Sequence, residues 1–519
     1  MSSTTLSFQS PLRMLPDDAV LEIARFLPSD ADRLRLALTA KSLCAAVPPR
    51  PTDVSLKTKT RIASLCQALR RHPSFSNCLL VLEVHFATKQ ADVKAALPLI
   101  RDIFTKARSL RRLTLGPQEY ASPELRFLLR NFSSLTHLAI NESKCSSLAT
   151  ASANLPHSLQ SIHLSSCSNG TTWHALVKSL SVLPSLTALT LEDCSFEVDA
   201  DDSADEDEDN SEGTGESGEE GDHDNNQDNV DTHEQQRQLH LEKTLGRSLS
   251  HLHTLHAILT PLPDSYLAFS KIFPQLDTLE LVECALPADD NEDEADHDQS
   301  LKQLTLIDCD ATACAPPPWT IHNGSIASSS MLYDSDTLLD DLCLCQPEVL
   351  TGLVLRIPVF MEEMWTNLTE NASKLHRLEL ETYEMDLLST ITLLASIFEE
   401  QTDQEDDEEQ PPIIMLSVAG SRYYSSSDLE EQLTGLLKHA SNAFPELQYI
   451  AVASTTIKMF PFKDLSGEGA PWRWWRIPRG DRTDIREIPA WEGERVRRYF
   501  READRAQAEN FNGACKPTP

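Results

Sequence analysis

The residues best suited to chemistry are plentiful: 12 cysteines, 16 histidines and 80 acidic side chains in 519 residues. Zinc sites pair close Cys or His ligands with a second close pair, and general acid–base work needs carboxylates held in fixed geometry. Cys343 and Cys345 form a lone C-x-C with no second pair, which reads as two thiols beside a strand. His251, His253 and His256 sit in a leucine-bearing stretch without accompanying carboxylates. The densest carboxylates lie in runs that repel themselves and present no fixed geometry. G-x-x-x-x-G-K-[ST], H-E-x-x-H and G-x-S-x-G do not occur. The reading is a non-enzyme with no catalytic residue, metal ligand set or cofactor.

Four cysteines instead close one recurring pattern: SLQSIHLSSC (158–167), SLTALTLEDC (185–194), QLDTLELVEC (275–284) and SLKQLTLIDC (300–309). The L-x-x-L-x-L core of that pattern also occurs at Leu110-Leu113-Leu115, Leu135-Leu138-Ile140, Leu350-Leu353-Leu355 and Leu375-Leu378-Leu380. Weaker copies stand at Ile413-Leu416-Val418 and Leu447-Ile450-Val452. The L-x-L part predicts a short strand whose alternate residues enter a core. No such strand buries its leucines alone, so the copies must stack. Between them, 97–110 and 173–183 carry apolar residues at three- and four-residue steps, as helices do. The stretch 315–345 reads equally as a loop or a degenerate repeat.

A period of 25 residues, as from Leu113 to Leu138 and from Leu279 to Leu304, with this pattern resembles the leucine-rich repeat family over roughly residues 75–455. The resemblance implies an α/β solenoid in which Cys167, Cys194, Cys284 and Cys309 sit at the inward turn after the strand. A small side chain with a weak donor suits that place. The strand residues facing away from the leucines then form a target surface: His163, Ser165, Thr190, Glu192, Glu280, Thr305, Glu379 and Glu381.

The formal charge of −35 is concentrated. Residues 197–234, 289–298 and 399–409 hold 33 acids and no base, leaving 47 acids against 45 Lys and Arg elsewhere. These runs read as solvated, disordered loops, or as bait for a basic partner such as a histone. Ser203, Ser211 and Ser217 lie among the acids, a context that suits acid-directed kinases. Residues 458–519 carry four of the seven tryptophans among 13 Lys/Arg and 10 Asp/Glu. That near balance makes nucleic acid a poor partner. Trp472, Trp474 and Trp475 are expected to cover the last repeat, with Val496, Phe500 and Ala503 on the apolar side of a terminal helix.

LPDDAVLEIARFLPSDADRLRLALTAKSL (15–43) predicts two helices, one opening at Pro16 and broken by Pro28, the next capped by Ser29. It resembles an F-box, with Arg33, Thr39 and Leu43 departing from the pattern; a plain helical cap on the repeats is the other reading. The resemblance implies a subunit of a Skp–cullin–F-box ubiquitin ligase. Leu15, Pro16, Leu21, Ile23 and Leu27 would bear on the Skp-type adaptor, and the repeats would hold a target. Leucine-rich repeats with acidic stretches also resemble the acidic nuclear phosphoproteins that shield histones. The expected organisation is a disordered 1–10, an F-box-like 11–50, repeats over 51–195 and an acidic insertion at 196–240. Repeats resume over 241–457, with acidic loops at 289–298 and 399–411, and 458–519 form a cap and tail. No apolar run is long enough for a membrane span and the first residues do not form a secretory signal, so the expected location is cytoplasmic, nuclear or both, with free thiols.

Overall fold

The structure is a computed structural model that describes residues 52–71, 76, 79–85, 90–116, 123–141, 154–166, 172–196, 248–262, 269–270, 272–284, 300–309, 320–403, 411–421, 426–455, 472–478, 482, 484–502 and 507. The F-box-like segment, the acidic runs at 197–234 and 289–298, Cys167 and Ala503 lie outside the described residues. The chain divides into two compact units, 1–190 with 194–206, and 191–193 with 207–519.

The first unit lays down β1 (Thr52–Leu56), β2 (Leu79–Val84), β3 (Arg112–Leu115), β4 (His137–Asn141), β5 (Ser161–Ser165) and most of β6 (Ala188–Glu192), side by side in chain order. The strands from β1 to β5 pair in parallel. Parallel neighbours need a crossover, and α1 (Lys59–Arg71), α2 (Gln90–Lys106), α3 (Pro123–Leu129) and α4 (Trp173–Leu180) lie between strands. Thr172 caps α4, accepting from Ala175 N at 3.3 Å. Asp102 ties α2 to α1: its Oδ2 accepts from Cys66 Sγ at 2.8 Å and Arg70 Nε at 2.9 Å. The hydrogen bond from Cys66, with Lys106 and Arg70 adding to it, pulls the Asp102 carboxyl down to about 2.

The second unit continues the scheme with β7 (Thr254–Ile258), β8 (Thr278–Val282), β9 (Ser300–Ile307), β10 (Thr320–Ala327), β11 (Gly352–Ile357), β12 (Arg377–Asp386), β13 (Met415–Ser421) and β14 (Tyr449–Thr455), all parallel. Helices α5 (Ser335–Leu344), α6 (Glu362–Asn371), α7 (Leu387–Asp403) and α8 (Ser426–Ala443) alternate with the last five of these strands. The register puts Leu279 beside Leu304, and Leu353, Leu378, Leu416 and Ile450 in one file. Trp365 of α6, Phe398 of α7 and Phe444 just after α8 meet edge to face, with centroids 5.0 to 5.7 Å apart. Both units are therefore leucine-rich-repeat-like stacks of parallel strands.

The cysteines do what their position implied. Cys194 Sγ donates to Leu164 O at 3.5 Å, Cys284 Sγ to Ala257 O at 3.4 Å and Cys309 Sγ to Leu281 O at 3.5 Å. Each bond joins one turn to the strand before it. Burial raises the Cys284 and Cys309 thiols, Cys309 being pushed up to about 12. The residue before each cysteine turns the chain through the left-handed region: Ser166, Asp193, Glu283 and Asp308 have φ of 49°, 52°, 50° and 50°.

The structure also settles what the pattern left open. Residues 315–345 contain a degenerate repeat, β10 followed by α5. Gly324 takes the central leucine position, and a Cβ there would stand 3.3 Å from Cys345 Sγ, which fills the space. Cys345 is buried while Cys343 is exposed. Residues 399–403, expected in an acidic loop, are the last turn of α7, and the weakest copies form β13 and β14, two of the most buried strands.

In the β7 turn a leucine takes the strained place: Leu259 has φ 48° and is half exposed. A left-handed conformation costs an L-residue with a Cβ about 1–2 kcal/mol, and Asn tolerates it. Leu259→Asn is expected to stabilise the protein by about 1 kcal/mol, read as a higher thermal midpoint.

Candidate binding face

Strand residues alternate between two faces, so the face opposite the leucines can be read from the register. In the second unit its middle row is His256, Glu280, Thr305, Ser325, Val354, Glu379, Ser417 and Ala451. Beside it run Thr278, Gln303, Asn323, Gly352, Arg377, Met415 and Tyr449 on one flank. On the other flank run Val282, Ile307, Ala327, Arg356, Glu381, Ala419 and Ala453. The register thus brings Glu280, Thr305, Glu379 and Glu381 onto one face. In the first unit His163, Ser165 and Thr190 are half-buried on strands that alternate buried and half-buried; Glu192, at the end of β6 and part of the second unit, is half-buried too. Ser165 Oγ donates to Asn141 Oδ1 at 3.2 Å.

The face is not uniformly open. On β7 and β8 every second residue is half-buried, the pattern of a one-sided sheet. On β11 all six residues are buried, and on β12 and β13 the first six are. The cover is the C-terminal segment. Strand β15 (Arg473–Arg476) adds antiparallel to β14, β16 (Arg486–Ile488) adds to β15, and α9 (Ala490–Glu502) follows. Trp472, Trp474, Val496 and Phe500 join Met415, Ala419, Tyr449, Ala451 and Ala453 in a second hydrophobic core. Gly493 makes the fit possible, because a Cβ there would run into the Trp474 indole.

Electrostatics fixes α9 in place. Glu379 is fully buried, and its Oε1 accepts from Arg377 Nη1 at 2.6 Å and Arg501 Nε at 3.1 Å. Its Oε2 accepts from Arg497 Nη2 at 2.6 Å and Arg501 Nη2 at 2.8 Å. Glu381 Oε2 accepts from Arg356 Nε at 2.8 Å and its Oε1 lies 3.6 Å from Arg497 Nη2. Arg497 also stacks over Trp472, 4.6 Å from the ring centroid. Burial opposes ionisation of Glu379, but the three guanidiniums outweigh it and hold the carboxyl well below the usual carboxylate range. Glu379 and Glu381, expected in an open target row, are instead occupied by the chain's own arginines. Sequence reading could not find these partners, because Arg497 and Arg501 stand 118 and 122 residues away from Glu379.

Between the open strands and the covered ones lies a pocket of about 290 Å³, lined by Glu280, Gln303, Thr305, Asn323, Arg356, Arg377 and Arg501 among others. Among the described residues no three His, Cys, Asp or Glu are grouped as a metal site, and no helix is long and apolar enough to cross a membrane.

No family model matches the sequence, and no curated protein matches it. A solved structure of the leucine-rich repeat-containing protein LegL7 from Legionella pneumophila aligns with 69% of this chain and 88% of that one, at 13% identity and a TM-score of 0.30. So loose a likeness carries no argument, and the repeat fold rests on the strands and register described above.

Removing one partner from a buried ion pair strands the others in a low-dielectric site, at a cost of about 3–5 kcal/mol. Glu379→Gln is therefore expected to destabilise the second unit by about that much at neutral pH, measured by chemical denaturation. A carboxylate whose pKa is depressed by folding stabilises above its ordinary value and loses that contribution as pH falls through its folded one. The gap between Glu379→Gln and the unaltered protein should accordingly stay constant from pH 7 to 5 and close only in strong acid.

Proposed function

We propose that the protein is a non-catalytic binding subunit that joins a protein target to a ubiquitin ligase. The observation that carries the binding half is the polar face left open on β7 and β8 and entering the 290 Å³ pocket, while the same face further along is sealed by α9. Repeats stacked this way present a long row of independently variable side chains, which suits recognition of a protein surface. The ligase half rests on residues 15–43 and their resemblance to an F-box. There Leu15, Pro16, Leu21, Ile23 and Leu27 contact a Skp-type adaptor. Bridging acts by raising the effective concentration of target near the ligase, with the covalent chemistry done on other subunits.

Purified Skp-type adaptor titrated into the full chain tests this reading. Micromolar or tighter binding is expected, lost in a Leu15→Asp/Ile23→Asp variant whose thermal transition is unchanged. Failure of the folded, unaltered chain to bind would reject the ligase role and leave the open face as a scaffold for some other assembly.

A further inference from the structure

We propose that the pocket over β9 to β11 binds a single carboxylate, presented by an acidic side chain of the protein target. The inference rests on reading the open face as the target surface, and it assigns that surface its anchoring contact.

Arg377 is 2% exposed and lines the pocket. Its Nη1 donates to Glu379 and its Nη2 to Asn323 Oδ1 at 3.2 Å, whereas its Nε has no hydrogen-bond partner among the described residues. A buried guanidinium donor left unpaired is costly, so such a group at a pocket wall marks a place where an acceptor is missing. The guanidinium reaches this position across the neighbouring strand. A Cβ on Gly352 would stand 2.7 Å from Nη2 and 2.9 Å from Nε, so glycine alone leaves the path open. Thr305, Asn323 and Ser325 supply further hydrogen-bonding groups on the same wall, all nearly buried.

Charge selects the ligand. Arg356, Arg377 and Arg501 line the pocket, and Arg497 lies behind them. Against these four stand the buried Glu379 and Glu381, and Glu280 on the opposite wall with His256 Nε2 at 3.5 Å. Glu494 acts on Arg501 and stands 3.9 Å from Arg497, but from a 43% exposed position, where water screens it. One positive charge remains, and one carboxylate neutralises it. A phosphate monoester, at about −1.5 to −2 near neutral pH, would overshoot.

The test uses the full chain with arginine Nε labelled by ¹⁵N, the Arg377 resonance being assigned with Arg377→Lys. Three probes are titrated: N-acetylglutamate methylamide, the matching glutamine derivative and inorganic phosphate. The glutamate probe should shift the Arg377 Nε–H signal saturably, with a dissociation constant of about a millimolar, and the glutamine probe should not. Asn323→Asp replaces an amide by a carboxylate of the same shape beside Arg377 and gives up the bond from its Nδ2 to Lys302 O; with folding of the variant checked by its thermal transition, it should weaken the glutamate probe at least tenfold. The proposal is overturned if the glutamate probe leaves Arg377 unmoved, if phosphate alone shifts it, or if folded Asn323→Asp responds as the unaltered chain does. Because the probes are free small molecules, the pocket can fail while adaptor binding succeeds, and the reverse.

Discussion

A carboxylate with no access to water, Glu379, holds the C-terminal half of the second unit in its form. It sits on a strand, and two of the three guanidiniums that neutralise it come from a helix more than a hundred residues later. Without that helix the carboxylate would face solvent, and so would Met415, Ala419, Tyr449, Ala451 and Ala453 beside it. With it, the sheet acquires a second core of tryptophan, phenylalanine and small residues, and the alternating burial of β7 and β8 gives way to continuous burial on β11 to β13. Ion pairs of this kind are expensive to desolvate, and here the cost is offset by bidentate geometry, by several guanidiniums sharing one carboxylate and by the apolar contacts alongside.

The rest of the architecture follows from stacking. Each strand contributes one file of leucines to a common core, and each turn is tied to the strand before it by a weak thiol donor where a cysteine is present. These links reach only to the neighbouring turn, so a repeat array tolerates insertions between turns. The exposed part of the face therefore owes its position to local stacking, and its limit to the long-range contact at Glu379.

Much of this was legible in the sequence. The spacing of Leu279, Leu281 and Cys284 specifies a strand, its buried face and the turn that ends it, because period-two alternation and a small inward side chain are local signals. The pairing of strands in chain order follows from the repeat. What escaped was set by distant partners or by missing side chains. Gly324 hides a repeat because a leucine's place is taken by Cys345, which lies 21 positions on. Glu379 and Glu381 look like solvated residues because nothing near them in the chain says that Arg497 and Arg501 will cover them. The tryptophans of 472–475 are legible as a cover for the last repeat, but that they form a strand edge and a second core depends on Gly493 admitting Trp474, a contact no pattern of hydrophobic residues encodes.

The central claim is that α9 is a built-in part of the second unit and sets the limit of its binding face. Hydrogen–deuterium exchange on the free full-length protein at neutral pH tests it most directly. The account predicts that backbone amides of residues 494–500 are protected to the same degree as those of β12 and β13, since all three belong to one buried assembly. Exchange of 494–500 within seconds, beside protected β12 and β13, would contradict it and return Glu379 and Glu381 to the open face.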